Sequence, residues 1–279
     1  MDYKKEDYNK FMQLYTHQPW LSKKESSLEA LVATCDTPEQ KELIFSLLNR
    51  FYYLKEYAVH LHLEQMVKYI MNCGFEMGRT QLVACTFDDE ADSGQKILDM
   101  IKVPLYEKGW KNIKTVNTIG KACKVIPKGK NQIIIIDEFI GTGKSLRTRV
   151  SWLKNNAKQP IEIKCCFMAG MEKAVKALND DSIEIFCSLQ IGKGISDFFK
   201  GEELAHAKDN MIHLESKLAK TIQEKKLEDY SFGYGKAEAI YSTENGNTPN
   251  SVFPIFWWLK DNKGNERNTI LTRYEKGFE

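Results

Sequence analysis

Two carboxylates, Asp137 and Glu138, stand just ahead of a Gly-Thr-Gly-Lys-Ser turn in the stretch NQIIIIDEFIGTGKSLRTRV, residues 131–150. A glycine turn at the head of a helix offers main-chain N–H groups and a favourable dipole to a phosphate. The carboxylates would repel a bare chain of phosphates, which argues against a triphosphate loop. The G-x-x-x-x-G-K-[ST] motif fails as well, because its first glycine falls where Glu138 stands. No later apolar strand ends in an aspartate suited to magnesium; those ending at Phe167 and Leu189 run into neutral residues.

A sugar phosphate satisfies both halves of the stretch. Asp137 and Glu138 can accept hydrogen bonds from neighbouring ribose hydroxyls, as acidic residues do at strand ends of dinucleotide-binding folds. The N–H groups of Gly141, Thr142, Gly143, Lys144 and Ser145 can take the attached 5′-phosphate, with the Thr142 and Ser145 hydroxyls as further donors. An acidic pair alone reads as a solvated strand end. Joined to the glycine turn at this spacing, it reads as a ligand site.

The elements that must position this loop follow from hydrophobic periodicity. Residues 1–78 read as helical. Thr37-Pro38-Glu39-Gln40 is a helix start with a capping residue and proline in the first turn. Leu43, Leu47, Phe51 and Leu54 are expected on one face, and Tyr57, Leu61, Val67 and Ile70 on the next helix. His60 and His62 face different sides of that helix, which does not suit a metal. From residue 79 to 200 short apolar strands alternate with helices: strands at 80–86, 132–136, 161–167 and 183–189, and helices opened by Asp92, around Leu146–Leu153 and at 171–178. Such alternation predicts an α/β core with a mainly parallel sheet flanked by helices, whose ligands sit at the carboxyl ends of the strands. Residues 201–279 read as a charged helix over 205–226 and an irregular, aromatic-rich C-terminal hood.

Composition narrows the function. With 40 basic and 38 acidic side chains in 279 residues the net charge is only +2, which argues against a dedicated nucleic-acid or acidic-membrane surface. The 7 cysteines show no metal-ligand spacing and read as reduced thiols of a cytoplasmic protein. No apolar run is long enough to span a membrane.

The run IIIIDEFIGTGKSL, an apolar strand, two acids, three residues and Thr-Gly-x-Ser at a helix head, resembles the signature of type I phosphoribosyltransferases. The resemblance implies that Asp137 and Glu138 hold the ribose 2′- and 3′-hydroxyls and that Gly141 to Ser145 hold the 5′-phosphate. It implies chemistry at ribose C1, with phosphoribosyl pyrophosphate or a nucleotide as ligand and Mg2+ as cofactor if the chain is catalytic. The tail, with FGYG and NTPNSVFPIFWW, together with the helical N-terminus, looks like a narrower branch: phosphoribosyltransferase-like effectors of bacterial antiviral systems, some encoded beside retrons. That resemblance implies a toxic effector held silent by a protein partner of a defence complex, with nucleic acid only an indirect partner or an acceptor.

The chain departs from the family at the first core loop, FDDEADSGQ. There the transferases hold pyrophosphate with amides and a base, whereas here Asp88, Asp89, Glu90 and Asp92 crowd together. One of them, Asp89, is a candidate magnesium ligand. The amides of Ser93 and Gly94 can still meet an oxygen, and Asp92 can instead simply cap the helix. Cationic help is expected from Lys144, Arg147, Lys193 or Arg273. Trp257 and Trp258 could stack on a base, with core packing the alternative. Three readings therefore stand: an enzyme, a non-catalytic phosphoribosyl or nucleotide sensor that regulates a partner, and a purely structural domain.

Overall fold

A computed structural model describes residues 5–87 and 92–274. Contacts divide the chain into two compact units, 56–191 and 1–55 with 192–279. The regions 1–78 and 201–279, separate in the sequence reading, thus contribute most of their residues to one unit.

In unit 56–191, five strands form one sheet: β1 (Thr80–Ala84), β2 (Lys114–Val116), β3 (Gln132–Ile140), β4 (Glu162–Met171) and β5 (Ile185–Ile191). Their order is β2-β1-β3-β4-β5, and every pairing is parallel. The isoleucine run explains the central place of β3: Ile133 to Ile136 are all 0 % exposed, as a strand covered on both faces requires. Parallel crossovers are right-handed. The crossover from β1 to β2 runs opposite to those from β3 to β4 and from β4 to β5. The helix Ser93–Glu107 therefore covers one face, and Lys144–Asn156 and Glu172–Asp180 cover the other. Chain direction across the sheet reverses between β1 and β3, the switch point at which such sheets open a crevice for ligands.

The register places Asp137 and Glu138 just past the end of β1, beside that switch point. β1 stops at Ala84, opposite Ile136, while β3 continues to Ile140 with β4 as its partner. Sequence periodicity ended this strand at Ile136. Asp137 and Glu138 instead lie within it, because main-chain pairing to β4 outlasts the apolar run. β2 was not read from the sequence at all, since three residues are too few for a period. Its Val116 is buried beside Val83.

Helix faces needed one adjustment. The helix Glu56–Asn72 buries Val59, Leu63, Met66, Val67 and Ile70, whereas Tyr57 and Leu61 are exposed on its outer side. Three- and four-residue spacing selects two adjacent stripes, and packing against the sheet decides between them.

Unit 1–55 with 192–279 joins its two segments through a parallel strand pair, Tyr52–Leu54 with Tyr241–Thr243. The Thr37 side chain accepts from Gln40 N at 3.3 Å, and Gln40 Oε1 accepts from Asp36 N at 2.8 Å. That reciprocal cap starts the helix Pro38–Asn49 as the sequence predicts. The helix ends before Phe51 and Leu54, which are buried from outside it. Near the C-terminus the helix is Gly201–Glu215, not 205–226; the lysines after it lie in a turn and the short hairpin Thr221–Ile222 with Lys225–Lys226. Trp257 and Trp258 are both 0 % exposed, so core packing, not base stacking, is their role. Their indole N–H groups donate to Val252 O and Ala219 O.

Gly94 sets how closely the helix Ser93–Glu107 meets the sheet. A Cβ there would stand 3.0 Å from Cys85 N and 3.1 Å from Ile136 O, main-chain atoms already hydrogen-bonded to each other. Gly94→Ala is expected to lower unfolding free energy by roughly 1–3 kcal/mol. A urea melt checks it, and an unchanged midpoint would refute the close-packing account.

Candidate functional site

Asp137 leaves β3 toward the helix Ser93–Glu107. Its Oδ1 accepts from Ser93 Oγ at 2.7 Å and from Glu138 N at 2.8 Å. Oδ2 has no hydrogen-bond partner among the described residues. Glu138, one residue on, leaves the strand on the opposite face by the alternation of a strand, and is 4 % exposed. The two acids thus share a strand end without sharing a side.

Burial pushes the Asp137 carboxyl up from 3.8 to about 7. The Ser93 hydroxyl and the Glu138 N–H oppose that rise, and the negative Asp92 and Glu138 add to it. The residue keeps partial solvent access, yet its carboxyl lies deep among protein atoms. A carboxyl in this setting exchanges its proton near neutrality and binds a hydroxyl most strongly once ionised.

Beyond the strand, the glycine turn opens the helix Lys144–Asn156. Gly143 occupies the N-cap with φ +76°, and a Cβ on it would meet Leu178 at 3.1 Å and the Arg147 guanidinium at 3.2 Å. Glycine is required there on both counts. Among the described residues no acceptor meets the N–H groups of Thr142, Gly143 or Ser145, while Gly141 continues the pairing of β3 with β4. Lys144 N reaches only Thr142 Oγ1, at 3.4 Å. Three such donors at a helix start, with no side-chain cap, make a candidate anion nest.

The first core loop is partly visible. Asp88 and Asp89, and with them the expected magnesium ligand, lie outside the described residues. Asp92 caps the helix, its side chain accepting from Gln95 N at 3.0 Å. Ser93 turns its hydroxyl to Asp137, and Gly94 serves the close packing described above. Among the described residues no group of three or more His, Cys, Asp or Glu could hold a metal ion.

The cations sort clearly. Arg147 Nε donates to Asp181 Oδ2 at 2.5 Å, so its charge is already engaged. Lys193 and Arg273 belong to the other unit; Lys193 Nζ donates to Lys236 O and pairs with Glu238, while Arg273 donates to Thr248 O and lies over Trp257. Lys144 is exposed, and its ammonium has no partner among the described residues. Sequence reasoning missed Arg149, whose guanidinium lies 5.7 Å from the Phe87 ring centroid beside the carboxyl end of β1. Only its place on the helix that starts at the nest could have signalled it.

The sequence matches the PRTase-CE family over residues 34–273, most of its length. The chain belongs to that family. Membership and the parallel 2-1-3-4-5 sheet together make the fold phosphoribosyltransferase-like. No curated protein gave a match. Similar solved structures include a Neisseria gonorrhoeae hypothetical protein with bound ppGpp, at 9 % identity and TM-score 0.38, covering 50 % of this chain and 83 % of that one. A Helicobacter pylori xanthine-guanine-hypoxanthine phosphoribosyltransferase is 11 % identical at TM-score 0.34, covering 50 % and 85 %. A Schistosoma mansoni hypoxanthine-guanine phosphoribosyltransferase in complex with IMP is 14 % identical at TM-score 0.33, covering 50 % and 65 %. Likeness at this level carries no argument about activity. All seven cysteines are free, and among the described residues no helix is long and apolar enough to cross a membrane.

The raised Asp137 pKa has a measurable consequence for stability. The folded chain holds this proton more tightly than the unfolded one, so the group's contribution falls as pH rises from about 4 to about 7 and stays low above that. Asp137→Asn keeps an oxygen for Ser93 and Glu138 N but cannot ionise. The variant is expected to melt higher than the parent at pH 8 and nearly level with it at pH 4. A melt that is lower at pH 8 would contradict the burial argument.

Proposed function

We propose that this chain binds a ribose 5-phosphate group, carried by phosphoribosyl pyrophosphate or a nucleotide, at the carboxyl end of β3. The observation that carries this reading is the set of N–H groups of Thr142, Gly143 and Ser145, which have no acceptor among the described residues, at the same end of β3 as a carboxylate whose Oδ2 is unengaged there. The nest takes the 5′-phosphate. Asp137 takes a ribose hydroxyl through Oδ2, while Glu138, buried on the opposite face of the strand, supports the strand end and leaves the neighbouring hydroxyl to Asp137.

In the enzymatic form of this reading, the C1–oxygen bond to pyrophosphate breaks while a nucleophile bonds C1. The pyrophosphate leaves with the electron pair. The charge on C1 in such a reaction needs positioning and electrostatic support more than proton transfer. That fits a site built of amides and carboxylates. Magnesium is the proposed cation if turnover occurs, offsetting charge on the departing diphosphate. The residues present suit an ion carried mainly by phosphate oxygens with one or two carboxylates, not a protein cage.

The wider role we propose is that of a toxic effector in bacterial antiphage defence, acting in the cytoplasm and restrained by a protein partner. It rests on the resemblance of the tail and the helical N-terminus. A non-catalytic sensor of the same ligands is the second reading, favoured by the acidic run Asp88–Asp92, which suits departing pyrophosphate poorly.

Titration calorimetry with ribose 5-phosphate should show saturable binding, weakened about tenfold to a hundredfold in Asp137→Asn. Gly143→Val should abolish it, because a branched side chain cannot hold the left-handed φ of the turn and would push it off Leu178 and Arg147. Absence of binding by the unaltered chain would refute the reading. Incubation with magnesium, phosphoribosyl pyrophosphate and a nucleotide pool, followed by mass spectrometry, separates the two forms: released pyrophosphate, base or sugar phosphate marks the enzyme, and binding without product marks the sensor. Infection of cells carrying the chain and its partner tests the defence role, which fails if phage yield is unchanged.

A further inference from the structure

Arg149 stands on the helix Lys144–Asn156, one turn past Ser145. Its Nε is buried and has no hydrogen-bond partner among the described residues. Among the described residues no carboxylate pairs with its guanidinium; the contact it makes is with the Phe87 ring. Trp152, a turn further along the helix, meets the same ring edge-on at 5.4 Å and 75°. Phe87 lies three residues past the last residue of β1 and is 42 % exposed.

Three physical points make this arrangement informative. A guanidinium whose Nε is buried without a hydrogen bond has given up that atom's hydration without replacement, which is costly unless an anion completes it. Helical side chains lean toward the helix N-terminus, so Arg149 reaches back toward the nest and the carboxyl ends of the strands. Residues four apart on a helix lie about 6 Å apart at Cβ, within the span of two anionic groups on one small ligand. The aromatic face holds the planar head in place without neutralising it.

We propose that Arg149 is the cation for a second anionic group of the ligand, a diphosphate on ribose C1, while the nest holds the 5′-phosphate. This rests on the reading of the nest as a ribose 5-phosphate site and adds a specificity determinant to it. Arg149 supplies from the helix the positive charge that the acidic first loop does not offer. The fixed, planar fork matches two oxygens of a diphosphate, a match that lysine cannot reproduce.

The test compares ribose 5-phosphate with phosphoribosyl pyrophosphate by titration calorimetry, in the full chain and in Arg149→Met and Arg149→Lys. The unaltered chain should bind phosphoribosyl pyrophosphate at least tenfold more tightly than ribose 5-phosphate. Arg149→Met should lose that preference while its affinity for ribose 5-phosphate stays within twofold, and Arg149→Lys should fall between. Equal affinity of parent and Arg149→Met for phosphoribosyl pyrophosphate overturns the proposal while leaving the nest reading intact. Equal loss of both ligands in the two variants also overturns it, making Arg149 a structural residue. Should Arg149→Met not fold, Arg149→Lys decides alone: an undiminished preference overturns the proposal. Binding of neither ligand by the unaltered chain takes down both readings together.

Discussion

The site depends on one mismatch of length between neighbouring strands. β3 outruns β1 by four residues at the point where chain direction across the sheet reverses. Main-chain pairing to β4 keeps those residues extended, while the edge facing β1 stays open. A carboxylate there is neither sealed in the core nor free in water. Its pKa near 7 is the electrostatic expression of that position, set by burial and only partly offset by Ser93 and one N–H group.

The same geometry keeps acid and anion nest from interfering. Asp137 turns toward the helix Ser93–Glu107, whereas the nest opens where the chain bends into Lys144–Asn156 on the other face. Gly143 permits the bend through its positive φ, and its lack of a side chain lets Leu178 and Arg147 close behind it. Arg147 is tied to Asp181 on the outside of the turn. Fixed dipoles and a tethered carboxylate therefore face the crevice, an arrangement suited to a ligand that is part polyol and part anion.

The other unit stabilises itself by different means. Glu215, 3 % exposed, accepts from Ser231 Oγ at 2.6 Å and Phe232 N at 3.0 Å, and burial pushes its carboxyl up to about 7. Glu238, also 3 % exposed, accepts from the N–H groups of Ile195 and Ser196 and from the Ser196 hydroxyl. Between these anchors Phe232, Gly233, Gly235 and Lys236 all adopt positive φ. Such conformations persist only where surrounding contacts dictate them. The FGYG segment is thus a wound loop held by buried acids, which no local propensity would indicate.

Local chemistry was enough to make the nest, the cap at Thr37 and the buried isoleucine strand legible in the residues alone. Each depends on neighbours a few positions away: a glycine that tolerates left-handed backbone, a hydroxyl that reaches the third amide on, β-branched side chains in a row. The α/β class followed too, because periods of two and 3.6 are local. Tertiary structure alone decided what depended on distant partners. It extended β3 past its apolar run, since β4 supplies hydrogen bonds that side-chain pattern does not record. It placed Asp137 and Glu138 on opposite faces, buried both tryptophans, and ended the helix at Glu215. It also left Arg149 over Phe87 with no acceptor among the described residues, a property of the space between elements that no stretch of sequence contains.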